Sequence, residues 1–124
     1  MTNSSNGMRR LIKAFGYSIK GMKAGWRNEA AFRQEVTLAC FLCPLAFWLG
    51  RNPLDYALLI SSVLLVLVTE LFNSAIEALT DRIGTEHHEL SGRAKDLASA
   101  AVFIALIILL IIWFSISWIR FISN

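Results

Sequence analysis

Glu70, Asn73, Ser74, Glu77 and Asp81 are the residues of this chain whose types and spacing could do chemistry inside a membrane. Measured from Glu70, the others follow at offsets of 3, 4, 7 and 11 residues. At 100° per residue they fall within about 100° of one another on a helix, so they form one polar stripe. By the helical rise, Glu70 stands roughly 16 Å along the axis from Asp81. The stripe lies in a stretch, residues 56–80, whose only charges are Glu70 and Glu77. A charge near the middle of a membrane span costs about 2.5–3.5 kcal/mol to insert, and less toward the interface. Lipid-facing glutamates would therefore be wasteful, and the stripe must face protein or water. Carboxylates in that setting accept protons or hold cations. Asn73 and Ser74 can equally hold helices together by hydrogen bonding.

The composition supplies the elements that carry this stripe. The chain has 124 residues, 56% hydrophobic and 17% charged, with a mean hydropathy of +0.55. Soluble domains run near 45–50% apolar and about 25% charged, so the departure is toward a membrane protein. The length fits one domain over 1–124 and excludes a large two-domain enzyme on a Rossmann or protein-kinase scaffold. Disordered and collagen-like classes are excluded by the hydropathy and the few Gly and Pro. A formal net charge of +3 is too mild to argue for nucleic acid. Cys40 and Cys43 lie in an apolar run without a nearby His, which predicts buried thiols rather than a disulfide scaffold or a zinc site.

Three transmembrane helices are expected, at about 30–50, 54–80 and 97–119. Pro44 marks a possible bend in the first, and residues 97–119 carry no charge at all. Before them, Leu11, Phe15, Ile19, Met22 and Trp26 fall within about 80° of one another on a helical wheel. Arg9, Lys13, Lys20, Lys23 and Arg27 take the opposite side. This is the pattern of an amphipathic helix lying in the membrane surface over about 8–27, or alternatively packed on a partner. Gly16, Gly21 and Gly25 weaken its helicity, with a break expected near Gly21. Ten of the twelve Lys and Arg residues precede the first apolar run or lie in 81–96; Arg51 and Arg120 are the exceptions. That asymmetry places the N-terminus and a loop at 81–96 in the cytoplasm and the C-terminus outside. Trp48, Trp113 and Trp118 are expected as interfacial anchors. Three spans are too few to surround the acidic stripe, so an oligomer is expected.

The cytoplasmic side thus gathers carboxylates (Glu29, Glu77, Glu86, Asp96), cations (Arg10, Lys95) and the deeper Glu70. Phosphoryl transfer needs cations and Mg²⁺ to neutralise phosphates, and a group to accept the attacking hydroxyl's proton. Mg²⁺ is commonly held by one or two carboxylates plus phosphate oxygens. The segment 81–96 has no Walker A spacing, and the adjacent His87 and His88 are weak evidence for a transition metal. These groups admit a lipid kinase without selecting it over a small proton-coupled exporter or a structural subunit. Exporters of that kind usually carry more spans and less loop charge.

Residues 28–35 (NEAAFRQE), 70–77 (ELFNSAIE), 88–96 (HELSGRAKD) and 12–18 (IKAFGYS) closely resemble the small prokaryotic integral-membrane diacylglycerol kinases. The resemblance covers almost the whole chain. It implies an all-α homotrimer of three-span protomers in the bacterial inner membrane, transferring the γ-phosphate of MgATP to diacylglycerol to give phosphatidic acid. By the same resemblance Glu70 is the catalytic base, Asn73 its support, and Glu29 and Glu77 the Mg²⁺ ligands. The ATP site comprises Arg10, Tyr17, Glu29, Glu77, Glu86, His87, His88, Lys95 and Asp96. The lipid site draws Arg10, Ala14, Phe15, Gly16, Tyr17, Ser18, Ile19, Lys23, Ala24, Gly25 and Trp26 from the surface helix. From the spans it draws Ala31, Phe32, Arg33, Gln34, Glu35, Trp48, Glu70 and Ser99. Tyr56 and His87 depart from the family pattern. A related branch phosphorylates undecaprenol, and no physical argument from these residues separates the two substrates.

Overall fold

The computed structural model describes residues 6–84 and 88–123. Among these there is no strand. Helix α1 (Gly7–Asn28) leads to α2 (Ala30–Leu49), α3 (Pro53–Ile83) and α4 (Glu89–Trp118), which ends in a π-helical turn over Ile119–Ser123. Helices α2 and α3, and the helical stretch from Glu89 to Ser123, are long and apolar enough to cross a membrane. At 31 residues, α3 is roughly 46 Å long. It therefore outruns a hydrocarbon core of about 30 Å.

The break between α1 and α2 is a single extended residue, Glu29, with φ −122° and ψ 110°. Helix α1 runs unbroken through Gly21, so the chain bends eight residues later than its glycines suggested. Two contacts explain the corner. Arg33 Nη1 donates to the carbonyls of Trp26 (2.8 Å) and Arg27 (3.4 Å), satisfying acceptors that the end of a helix leaves open. Gly25 lets the buried Phe32 ring approach so closely that an added Cβ would sit 3.0 Å from it. Helix α2 continues through Pro44 without interruption.

Helix α3 starts at a tight cap. Asn52 accepts the Asp55 N–H at 2.9 Å, Pro53 fills the first turn, and the Asp55 carboxylate accepts the Arg51 N–H at 3.0 Å. Gly50 has no room for a side chain, because a Cβ there would meet the Tyr56 ring at 2.8 Å. Tyr56 in turn stacks on Phe47, with centroids 5.3 Å apart.

The buried face of α3 is Leu59, Ser62, Val63, Val66 and Glu70, spaced as one helical stripe. Leu59 packs with Ala46 and Leu49 of α2 and Ile116 of α4. Trp113 Nε1 donates to Ser62 Oγ at 3.0 Å, and that hydroxyl donates to the Leu59 carbonyl at 2.7 Å. Trp113 is therefore a bridge between α3 and α4, whereas Trp48 and Trp118 are exposed. Cys40 is exposed and Cys43 half-buried, both as free thiols, because they sit on an outward side of α2 rather than in the core.

The charged segment expected as a loop over 81–96 is helical over most of its length. Helix α3 runs to Ile83 and α4 begins at Glu89. His88 caps α4, its Nδ1 accepting the Leu90 N–H at 3.0 Å. A Glu89–Arg93 pair (3.6 Å) supports the first turn, and Lys95 reaches Asp81 at 3.0 Å across the two helices. Charge density marked this segment as solvent-facing, which helical turns outside the apolar spans satisfy equally well.

Candidate active site

The stripe that packs the core at Leu59 continues along α3 into the acidic residues. Glu70 is buried to 6% exposure, and Asn73, Ser74 and Glu77 are half-buried. Glu35 on α2, Glu77 on α3 and Glu29 at the α1–α2 corner all stand close enough for their charges to bear on Glu70. The corner conformation of Glu29 puts a carboxylate there. The ion pairs among the described residues are Arg93–Glu89 and Lys95–Asp81, so none of these four carboxylates has a basic partner. The accumulation of like charge is costly unless a cation or a proton offsets it.

A cleft of about 530 Å³ opens between α1 and α3, lined by Ser18, Gly21, Met22, Ala24, Gly25, Asn28 and Glu29 on one side and Leu71, Ser74, Ala75 and Ala78 on the other. Most of these side chains are small. Ser18, Gly21 and Gly25, with Ser74, Ala75 and Ala78, line its two walls. A second hollow of about 880 Å³ lies between α1 and α2, lined by Ile19, Met22, Lys23, Trp26, Arg27, Phe32, Arg33 and Val36. Its lining combines apolar side chains with the cations Lys23, Arg27 and Arg33. A third groove holds Gln34 beside Trp26 and Arg33.

The residues expected to form one site are therefore distributed. Glu29, Glu35, Glu70 and Glu77 come together. Ser18, Ala24 and Gly25 line the first cleft, and Ile19, Lys23, Trp26, Phe32 and Arg33 the second. Arg10, Ala14, Phe15, Gly16, Tyr17 and Ala31 are exposed on α1 and the start of α2. Asp96 and Ser99 are exposed on α4, and Lys95 holds Asp81. Glu86 and His87 lie outside the described residues. Trp48 stands at the opposite end of the bundle, against Phe121 and Arg120. Asn28, Gly21, Met22, Leu71, Ala75 and Ala78 were not anticipated as cleft residues. Their signal in the sequence is the helical spacing of small residues, Gly21 to Gly25 and Ser74 to Ala78, which reads as close helix approach rather than as weakened helix.

Comparison with known proteins identifies the lineage. A sequence profile described as prokaryotic diacylglycerol kinase matches residues 16–117. The chain is 54% identical to a diacylglycerol kinase of Escherichia coli over 121 residues, covering 98% of this chain and 99% of that one. It is 56% identical to the diacylglycerol kinase of Haemophilus influenzae over 88% of this chain and 92% of the other. It is 48% identical to that of Pseudomonas aeruginosa over 89% of both chains. The chain belongs to the prokaryotic diacylglycerol kinase family.

Proposed function

We propose that this protein is an ATP-dependent lipid kinase that transfers the γ-phosphate of MgATP to the hydroxyl of diacylglycerol, giving phosphatidic acid. One observation carries the catalytic reading: Glu29, Glu35 and Glu77 stand close enough for their charges to bear on the buried Glu70, and none of the four is paired to a basic side chain among the described residues. Family membership supplies the substrate class.

The roles follow the family resemblance, with position added where the structure supplies it. Glu70, enclosed on the packed face of a membrane helix, accepts the proton of the diacylglycerol hydroxyl as it attacks the phosphorus. Asn73, one helical turn on, supports that carboxylate. Glu29 and Glu77 offer hard oxygen donors without competing partners, which fits Mg²⁺ shared with phosphate oxygens. When bound, the ion neutralises charge on the transferring phosphoryl group. Arg10, Tyr17, Glu86, His87, His88, Lys95 and Asp96 serve the nucleotide. Lys95 exchanges its exposed pairing with Asp81, worth at most about 1 kcal/mol, for a phosphate. The hollow between α1 and α2 receives the glyceride, its apolar side chains taking acyl chain and Lys23 and Arg33 the polar end. Trp48 and Ser99 belong to the outer reach of the lipid site. The exposed apolar flank of α1, with Leu11, Phe15 and Trp26, supports an amphipathic helix seated in the membrane surface. The functional unit is a homotrimer, in which neighbouring copies enclose the acidic level that one chain leaves open. The N-terminus and the α3–α4 connection are cytoplasmic.

The test is direct. Purified protein in mixed micelles with MgATP and diacylglycerol should form phosphatidic acid, and undecaprenol offered in parallel should be a poor acceptor. No phosphatidic acid, or preference for undecaprenol, overturns the assignment.

A further inference from the structure

At the end of the bundle away from the acidic level, two arginines meet. The helical rise from Asp55 to Glu70 puts them roughly 22 Å from that level. Arg51 Nη2 donates to the Arg120 carbonyl at 3.2 Å, which brings the α2–α3 turn against the end of α4. The Arg120 guanidinium lies over the Trp48 ring at 5.4 Å and the Phe121 ring at 5.9 Å. Its Nε is shut off from water and makes no hydrogen bond. The nearest carboxylate along the chain, Asp55, is engaged by the Arg51 N–H, and neither arginine forms an ion pair among the described residues. Around them Trp48, Leu54, Trp118 and Phe121 are exposed.

Two guanidinium groups without acidic partners among the described residues, one stacked in place by aromatic rings, sit where three membrane-spanning helices end. That is the level of lipid phosphates. Guanidinium binds phosphate through paired, charge-assisted hydrogen bonds, and exposed rings beside it accept acyl chain. We infer that Arg51 and Arg120, flanked by Phe121, form a binding site for the headgroup phosphate of an anionic phospholipid in the leaflet opposite the catalytic level. The extra negative charge of such a lipid matches two cations better than a zwitterionic headgroup does.

The test is native mass spectrometry of the full chain in detergent with phosphatidylglycerol or phosphatidylethanolamine added. Phosphatidylglycerol should be retained preferentially, and R51Q/R120Q should lower its retention by about fivefold or more. Lys20→Gln, a comparable loss of charge on α1, should leave retention unchanged. Equal loss in both variants, no loss in R51Q/R120Q, or displacement of the lipid by inorganic phosphate overturns the site. Phosphatidic acid formation in micelles checks that the double variant is folded. Should it not fold, Arg51→Gln alone, at an exposed side chain, must still lower retention measurably, and an unchanged value overturns the site.

Discussion

Around Leu59, helix α3 is enclosed by Ala46, Leu49 and Ile116 and bridged to α4 through Ser62 and Trp113. Around Glu70, three turns further along the same stripe, the charges that bear on it are carboxylates, and the residues that follow it on α3, Leu71, Ser74, Ala75 and Ala78, wall an open cleft beside α1. One helix face thus serves two purposes. Its first half buries apolar groups and one hydrogen-bonded hydroxyl, Ser62, and so fixes the bundle. Its second half holds charges that the lone chain leaves uncompensated, and so favours what can compensate them: a cation, a phosphate, a proton or another copy. Packing and charge are segregated along the length of α3, and under the proposed function the packed end holds the catalytic end in register.

Substitutions at the two ends should therefore fail in different ways. Glu70→Gln removes the proposed proton acceptor and should lower kcat by about 10³-fold while the protein still assembles, as read by phosphatidic acid formation and by size-exclusion chromatography. Leu59→Ala should behave oppositely. It opens a cavity at the enclosed end and should cost about 2–4 kcal/mol of unfolding free energy in mixed-micelle denaturation. Its specific activity below the transition should stay close to that of the parent. Gly25→Ala lies between the two, because its Cβ would press the Phe32 ring at 3.0 Å and lift α1 from its seat. A loss of about 1 kcal/mol, with an activity drop of about threefold, is expected from denaturation and assay together. Trp113→Phe is the mildest. It deletes the hydrogen bond to Ser62 and should lower stability by about 1 kcal/mol with no change in kcat. A Trp113→Phe protein with impaired catalysis, or a Leu59→Ala protein of unchanged stability, would erase the distinction between the ends.

The sequence made the apolar elements and the acidic stripe legible because both depend on patterns that local geometry sets: run length for the spans, 3.6-residue spacing for the stripe. Residues 30–49 and 53–83 are helical where hydropathy places spans. What it did not reveal depends on contacts between distant residues. The corner falls at Glu29 because Arg33 caps the end of α1 and Phe32 needs the space above Gly25. The same glycines, taken alone, signal only weak helix. The helical extension of α4 back to Glu89 rests on a histidine cap and on Lys95 reaching Asp81, neither of which hydropathy registers. Trp113 carries the composition of an interfacial residue and becomes structural through a serine 51 positions away. The gathering of Glu29, Glu35, Glu70 and Glu77 likewise joins three segments. Topology puts Glu29 and Glu77 on the same side of the membrane, and only family resemblance pairs them as ligands of one ion, since no spacing rule connects them.

The central claim is that the unpaired carboxylates of the acidic level hold the divalent cation that accompanies ATP. Electron paramagnetic resonance of Mn²⁺ titrated into the purified protein with ATP tests it most directly. The account predicts saturable Mn²⁺ binding that weakens by about tenfold or more in Glu29→Gln/Glu77→Gln. Mn²⁺ bound equally well by that variant would contradict it.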